Sequence, residues 1–328
     1  MNLSLPSELN TEIQSRISSI MSSCSFIGGK WVERFEDHFA EYIGVDHCIA
    51  VGNGTDALEI AIEVLELEGE VMVPAFTAVP TVEAIVTMGC EPVFLDVDPE
   101  TLTAKYDRSL RPMVYVHMYG QPCEMGIRPY LTIEDCSHAH GAEWNGKKVG
   151  SIGTIGVFSF YPTKPLGAMG DAGAITTNDD YLAGQCRMIR NHGRATRDDY
   201  RILGRNSRMD AIQAAILDAK LPYLDQWNER RCEIADRYRE QLNVPVQPSQ
   251  TYHQLVVQVN NRDAVQARLR EAGIETLVHY PYIIPDLAPY RTTGNWPVAK
   301  LASTRILSLP MDLHITDDDI AAVAEGIS

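Results

Sequence analysis

The sequence predicts an α/β fold on a mostly parallel sheet, followed by a smaller α+β unit, and three observations carry that expectation. From about residue 45 to 177, short β-rich runs alternate with turns and helical stretches. Those runs show little polar alternation, as strands do when helices cover both faces of their sheet. Beyond residue 205 the pattern turns helical, and a segment with two prolines and little periodicity, 243–252, then separates a short strand–helix–strand pattern from the rest.

Taken in order, the strand-like runs are 48–51, 71–73, 92–97, 113–117, 131–134, 155–160 and 174–177. Between the first two, Leu58, Ala61, Ile62 and Leu65 fall at i, i+3, i+4 and i+7, one face of a helix. Ile212, Ala215, Ile216 and Ala219 form a second helical face, and the charged stretch 225–241 carries Trp227, Ile234, Ala235 and Tyr238 at near-helical spacing. HQLVVQV alternates as a strand, RDAVQARLREAG reads as a helix stopped by Gly273, and GIETLVHYP reads as another strand. Thr316 and Asp319 stand in capping-box spacing ahead of the last apolar run. The division is a large unit over 1–242 and a small one over 243–328, with packing of the N-terminal segment on the small unit as a variant.

Lys and Arg number 28 against 44 Asp and Glu, a net charge of −16 with no basic cluster, which argues against a nucleic-acid partner. An anionic ligand must therefore be held by local donors. Hydrophobic content of 45% and charged content of 22% are ordinary globular values. No apolar run reaches transmembrane length, and MNLSLPSELNTEI lacks the basic and apolar regions of a signal peptide, so a cytoplasmic protein is expected. The seven cysteines are scattered without a CxxC pair, so neither disulfides nor structural zinc are expected.

Three stretches lie where parallel strands would deliver their C-terminal ends, the place where open α/β sheets put ligands. In VGNGTDAL, Gly52 and Gly54 let backbone approach a ligand and Thr55 adds a hydroxyl at a helix N-terminus, a phosphate cradle; the same residues also serve as plain turn and helix-start residues. In LTIEDCSHAHGAEW, Asp135 ends an apolar strand and His138 and His140 follow; with no further clustered ligands a metal site is disfavoured, and core or capping roles for the histidines stay open. In FSFYPTKPLGAMGDAGA, Lys164 stands before a run of small residues; it reads either as a surface loop lysine or as an amine kept neutral enough to react with a carbonyl. Together the stretches fit pyridoxal phosphate, with Lys164 for the aldehyde, Asp135 for the ring nitrogen, and Gly54, Thr55 and Ser159 for the phosphate.

The chain also resembles the DegT/DnrJ/EryC1/StrS sugar aminotransferases, which have the fold-type-I architecture. The resemblance is carried by SFIGGKWVERFEDHFAEYIGV, GNGTDAL, VMVPAFTAVPTVEAI, GCEPVFLDVDPETL, VHMYGQP, IEDCSHAHGA, VGSIGTIGVFSFYPTK, GDAGAITTND, GRNSRMDAIQAAIL and GIETLVHYP, nearly the whole chain. It implies that Lys164 holds the cofactor as a Schiff base and then shuttles the proton, that Asp135 pairs with the ring nitrogen, and that His138 lies beside the phenolic oxygen. It further implies that Thr55, Ser159 and the amides near Gly54 and Asp56 hold the phosphate, and that Asn206 reaches the phosphate of a neighbouring subunit, making a homodimer with shared sites. His279 and Tyr280 would border the sugar-nucleotide pocket, and no metal is implied.

Some positions depart from the family pattern. The aromatic residue that often follows PAFT and stacks on the cofactor is Ala78 here, which leaves Phe76 or Val79 as candidates for that face. Helical segments that usually precede VHMYGQP and LTIEDCS are replaced by KYDRSLRP and CEMGIRPY. Relatives that dehydrate sugars carry histidine where this chain has Lys164, so transamination is expected. The implied reaction moves an amino group from glutamate onto a nucleotide-linked, dTDP-type keto-deoxy sugar, with GNGTDAL and TAVPTV leaning toward C3. The alternatives are C4 amination, another fold-type-I enzyme such as a lyase or decarboxylase, and a non-catalytic pyridoxal-binding regulator. The last would carry a basic helix-turn-helix segment, and none stands at either terminus.

Overall fold

The computed structural model describes residues 6–105, 111–126 and 131–327. Each apolar run expected to be a strand in the first 177 residues is one: β1 (His47–Val51), β2 (Glu70–Pro74), β3 (Glu91–Leu95), β4 (Met113–Val116), β5 (Thr132–Asp135), β6 (Ile155–Ser159) and β7 (Gly173–Thr177). They form one seven-stranded sheet in the order β1-β7-β6-β5-β4-β2-β3. The pairs from β6 to β3 are parallel, and β7 runs antiparallel to both of its neighbours. The fold class is α/β with a mostly parallel central sheet.

Alternation along β6 shows why the strands read as continuously apolar. Ile155 and Val157 enter the core on one face of the sheet, while Phe158 enters the core on the other. The first face is covered by α3 (Gly54–Val64), α4 (Val79–Thr87) and α5 (Asp180–Ile189). On α3, Leu58, Ala61 and Ile62 are buried as the periodicity requires, and so are Ala57, Ile60 and Val64, because helices as well as the sheet surround it. Its remaining face carries Glu59 and Glu63, which pair with Arg205.

On the second face, α2 (Lys30–Ile43) presents Phe39, whose ring meets Phe158 and Phe160 edge-on at 5.0 and 5.2 Å between centroids. The N-terminal helix α1 (Ser7–Ser23) lies on α6 (Ala211–Lys220), where Leu9 and Ile13 pack against Ile216 and Ala219. A buried carboxylate ties these three helices together. Asp218 accepts from Arg16 at 2.5 Å and lies 2.9 Å from Arg34 Nε and 2.6 Å from His38 Nδ1.

The long helix α7 (Leu224–Gln241) spans two cores: Trp227 packs beside α1 and α6, whereas Ile234, Ala235 and Tyr238 join a C-terminal cluster. That cluster is built on the antiparallel pair β8 (Leu255–Gln258) and β9 (Ile306–Leu309), flanked by α8 (Arg262–Glu271), α9 (Pro297–Arg305) and α10 (Asp317–Ile327). The Thr316 spacing does form a capping box: Asp319 accepts the Thr316 N–H at 2.9 Å and donates its own N–H to Thr316 Oγ1 at 3.2 Å.

One expected strand is absent. GIETLVHYP makes a single bridge, between Leu277 and Ser308, instead of a ladder. Beyond that bridge the contacts run through side chains: His279 Nδ1 binds Ser308 Oγ at 2.9 Å and the His279 carbonyl accepts the Tyr119 hydroxyl. Residues 106–110 of KYDRSLRP and 127–130 of CEMGIRPY lie outside the described residues. Among the described residues all seven thiols are free, and no helix is long and apolar enough to cross a membrane.

Candidate active site

The C-terminal ends of β1, β2, β5 and β6 open into a cavity of about 670 Å³. The turn after β1 contributes Asn53, Gly54, Thr55 and Asp56; the turn after β2 contributes residues 77–81; β5 contributes Asp135, Ser137 and His138; β6 contributes Ser159, Tyr161 and Lys164. Tyr280 and Tyr282 close it from the C-terminal part of the chain.

Its first wall is a helix start pressed against a strand end. Asn53 caps α3 by accepting the Asp56 N–H at 2.8 Å. The amides of Gly54 and Thr55 belong to the first turn and have no partner within the helix. A Cβ on Gly54 would lie 2.7 Å from Ser159 Cβ, and one on Gly173 would lie 2.4 Å from the Asn53 carbonyl carbon, so two glycines allow this approach. The result is a cluster of hydroxyls and amides at the positive end of a helix dipole, the donor set that a phosphate group needs.

The opposite need, a fixed negative charge, is met by Asp135. Thr81 Oγ1 donates to its Oδ2 at 2.8 Å and the Ser137 N–H to its Oδ1 at 3.1 Å, which orients the carboxylate. Lys164 follows β6 in a tight turn: its N–H bonds the Tyr161 carbonyl at 2.8 Å, and Ala168 returns to Phe160 at 2.8 Å. Gly167 permits the turn, since a Cβ there would lie 2.4 Å from the Pro162 oxygen, and the buried Lys220 ammonium pins the Gly167 carbonyl at 2.6 Å. Burial pushes the Lys164 amine down to about 8, against the opposing pull of Asp135. This is the environment that makes a lysine a nucleophile near neutral pH.

The two histidines left open by the sequence separate. His138 lines the cavity, and burial first, then Lys164, holds its imidazole well below the usual range and so neutral. His140 is core: its Nε2–H donates to the Ser159 carbonyl at 3.0 Å, and burial pushes its ring down to about 3. His117, Glu134 and Cys136 also bring ligand atoms within 4.8 Å of one another. Glu134 is already committed, accepting N–H groups from Gly150, Ile152 and Gly153 at 2.9, 2.8 and 2.7 Å. His117 Nδ1 accepts the Cys123 N–H at 2.9 Å, so Nε2–H faces Glu134; this cluster folds the loop at 149–153 and offers a cation no free donor set.

A model described as the DegT/DnrJ/EryC1/StrS aminotransferase family matches residues 7–328. The chain belongs to that family. It is 37% identical to the pleiotropic regulatory protein of Geobacillus stearothermophilus, over 98% of this chain and 95% of that one. It is 38% identical to the UDP-N-acetyl-3-dehydro-alpha-D-glucosamine 3-aminotransferase of Acidithiobacillus ferrooxidans, over 97% and 94%. With the dTDP-3-amino-3,6-dideoxy-alpha-D-galactopyranose transaminase of Aneurinibacillus thermoaerophilus it shares 36%, over 97% and 94%. Among solved structures, S. venezuelae DesV in complex with a ketimine intermediate superposes with a TM-score of 0.91 at 31% identity, covering 98% of this chain and 94% of that one. NtdA of Bacillus subtilis, solved with bound cofactor PMP, superposes with a TM-score of 0.88 at 25% identity, covering 98% and 82%.

The residues of this aminotransferase fit a pyridoxal cofactor. The cradle that a Cβ on Gly54 would fill suits a phosphate, the oriented Asp135 suits a protonated ring nitrogen, and the Lys164 amine suits an aldehyde. Of the residues expected from sequence, Gly54, Thr55, Asp56, Asp135, His138, Ser159, Lys164 and Tyr280 all line the one cavity. Asn206 and His279 do not. Asn206 is exposed, with its Oδ1 accepting from Arg208 Nε at 3.1 Å, and His279 turns its ring to Ser308. Of the two candidates for the face left by Ala78, Val79 lines the cavity, whereas Phe76 is wholly buried behind it, edge-on to Tyr280 at 6.4 Å.

Sequence reasoning missed Thr77, Thr81, Ser137, Tyr161 and Tyr282 in the wall, and Lys220 behind it. Thr77 and Thr81 carried a signal, two hydroxyls four residues apart just past an apolar strand. Lys220 carried none, because a lysine near a helix end reads as solvated.

Proposed function

We propose that this aminotransferase moves an amino group from glutamate onto the keto group of a nucleotide-linked keto-deoxy sugar, with dTDP as nucleotide and C3 as position. The observation that carries the reading is the convergence on one cavity of an amine, an oriented carboxylate, a neutral imidazole and a helix N-terminus faced by a serine. When bound, pyridoxal phosphate supplies an electron sink for the carbon beside the reacting nitrogen. The α3 amides with Thr55 and Ser159 would bind its phosphate, Asp135 would keep the proton on its ring nitrogen, and His138 would donate to its phenolic oxygen. Lys164 would anchor it through Nζ, and the free amine would move the proton from the glutamate α-carbon and return one to the sugar carbon.

The C3 position is supported by the names of two relatives, one a 3-aminotransferase of a UDP sugar and one a transaminase named for a dTDP-3-amino sugar. Tyr280 and His279 are assigned to the sugar-nucleotide side. The active unit in this reading is a cytoplasmic homodimer in which Asn206 of one protomer reaches the phosphate in its partner. Phe26, Met169 and Leu203 are large apolar side chains left exposed on a single protomer. We assign 1–242 to the large unit and 243–328 to the small one, with α7 packing into both cores.

The test is to load purified protein with pyridoxal phosphate, add glutamate and follow the visible absorption, with Lys164→Ala alongside. Loss of the visible band only where Lys164 is present is the expected result; a loaded wild type that ignores glutamate overturns the donor. A panel of dTDP- and UDP-linked 3-keto and 4-keto sugars then reads nucleotide and position from the product. One relative is named a regulatory protein, which favours a second reading, binding without turnover. Cofactor retention with no response to glutamate or to any keto-sugar would select it.

A further inference from the structure

The orientation of His138 in the cavity is set by groups outside the large sheet. Its Nδ1 accepts the Tyr119 N–H at 3.4 Å, so the proton of the neutral ring sits on Nε2. Tyr119 can aim that N–H only because its backbone is left-handed, with φ 56°, a conformation that a bulky residue keeps only when its surroundings hold it. The turn at 249–253 does the holding. Ser249 Oγ and the His253 N–H both donate to the Tyr119 carbonyl at 3.1 Å, and the Gln250 N–H donates to Gly120 at 3.2 Å. Gly120 must be glycine here: its φ is +100°, and a Cβ would lie 2.3 Å from Thr251 Oγ1.

The same turn reaches His138 directly. Thr251 Oγ1 donates to the His138 carbonyl at 3.3 Å, and the buried His253 ring lies 4.5 Å from the His138 ring, tilted by 45°. The Tyr119 ring lies nearly parallel to His138, at 11° and 6.3 Å. His253 does not line the cavity and belongs to no motif that points to a cofactor, yet its ring packs against the one imidazole that does line it.

We propose that His253 is a positioning residue: its ring, carried by the 249–253 turn, locks His138 as the Nε2–H tautomer and presents that proton to the cavity, where it serves an anionic oxygen of the bound ring. The role at the bound ring rests on the cofactor reading; the tautomer does not. The test is therefore made first on ligand-free protein with 15N-labelled histidine, reading the ring nitrogens of His138 in wild type, His253→Ala and His253→Phe. Wild type and His253→Phe should show one neutral tautomer with the proton on Nε2, and His253→Ala a mixture. Should His253→Ala fail to fold, His253→Leu, which fills space without an aromatic face, makes the same comparison.

In protein loaded with pyridoxal phosphate, loss of the fixed donor should move the pH midpoint of the visible spectrum upward by about one unit in His253→Ala and leave it in place in His253→Phe. An Nδ1–H tautomer in wild type, an unchanged tautomer in His253→Ala, or equal loss in both variants overturns the proposal. Failure of wild type to take up the cofactor would overturn the cofactor reading and leave the tautomer result standing.

Discussion

Gly54 and Ser159 meet where the first turn of α3 abuts the end of β6, with room for a hydrogen and no more: a Cβ on Gly54 would lie 2.7 Å from Ser159 Cβ and 3.3 Å from its Oγ. The two residues are far apart in the chain, and their contact defines the anion end of the cavity.

Gly54→Ala should therefore separate α3 from β6. The expected result is at least a roughly tenfold weaker Kd for pyridoxal phosphate, with an overpacking cost of about 1–3 kcal/mol in urea unfolding. Fluorescence titration of ligand-free protein with the cofactor checks it. An unchanged Kd would mean that the phosphate sits elsewhere.

Lys164 gives a pH dependence with a defined sign. Its amine is held down to about 8, so the neutral, nucleophilic fraction rises about tenfold per unit as pH climbs toward that value and levels off above it. Stopped-flow loading of ligand-free protein with pyridoxal phosphate should show that rise and a plateau above about pH 9. A rate still climbing at pH 10 would mean a lysine as hydrated as a surface one.

Thr81→Val keeps the shape of the side chain and removes the hydroxyl that donates to Asp135 Oδ2 at 2.8 Å. Loss of one such bond to a charged acceptor is worth about 1.5–3 kcal/mol, so cofactor affinity should fall roughly tenfold or more, and because the bond already joins two buried side chains in ligand-free protein the melting temperature should fall as well. Equal affinities in the two proteins would show that Ser137 alone orients the carboxylate.

Asp218→Ala removes the buried centre of a cluster of three bases. Arg34 and His38 are half exposed and regain water, whereas Arg16, 12% exposed, is left with Glu12 and the Ala215 carbonyl as its remaining partners. Unfolding in urea should cost about 1–3 kcal/mol, less than for an orphaned buried charge because Glu12 still pairs with Arg16. A loss below about 1 kcal/mol would indicate that solvent reaches the site once α1 shifts.

Much of this molecule was legible in one dimension, for a local reason. The seven sheet strands are short apolar runs bounded by turns, and Lys164, Asp135 and Gly54 stand at their ends, where a parallel sheet delivers side chains to a common edge. GIETLVHYP misled because its alternation is real but its backbone pairing stops after one bridge, Leu277 with Ser308, and His279 then bonds the Ser308 and Tyr119 hydroxyls. Tyr282 and Lys220 were illegible because their importance lies in what faces them.

By itself, then, the sequence determined the α/β class, the strand order of chemistry-bearing turns along the chain, and the amine, acid and glycine types needed for one cofactor, since each of these follows from hydrophobic period and side-chain chemistry read over a few residues. Only the tertiary structure decided that His138 faces the cavity while His140 braces Ser159, that Thr81 orients Asp135, and that a turn from the C-terminal part of the chain governs the tautomer of His138. Those relations are contacts between segments distant in sequence, and burial, which sets which nitrogen keeps its proton and which amine loses one, exists only once the segments have packed.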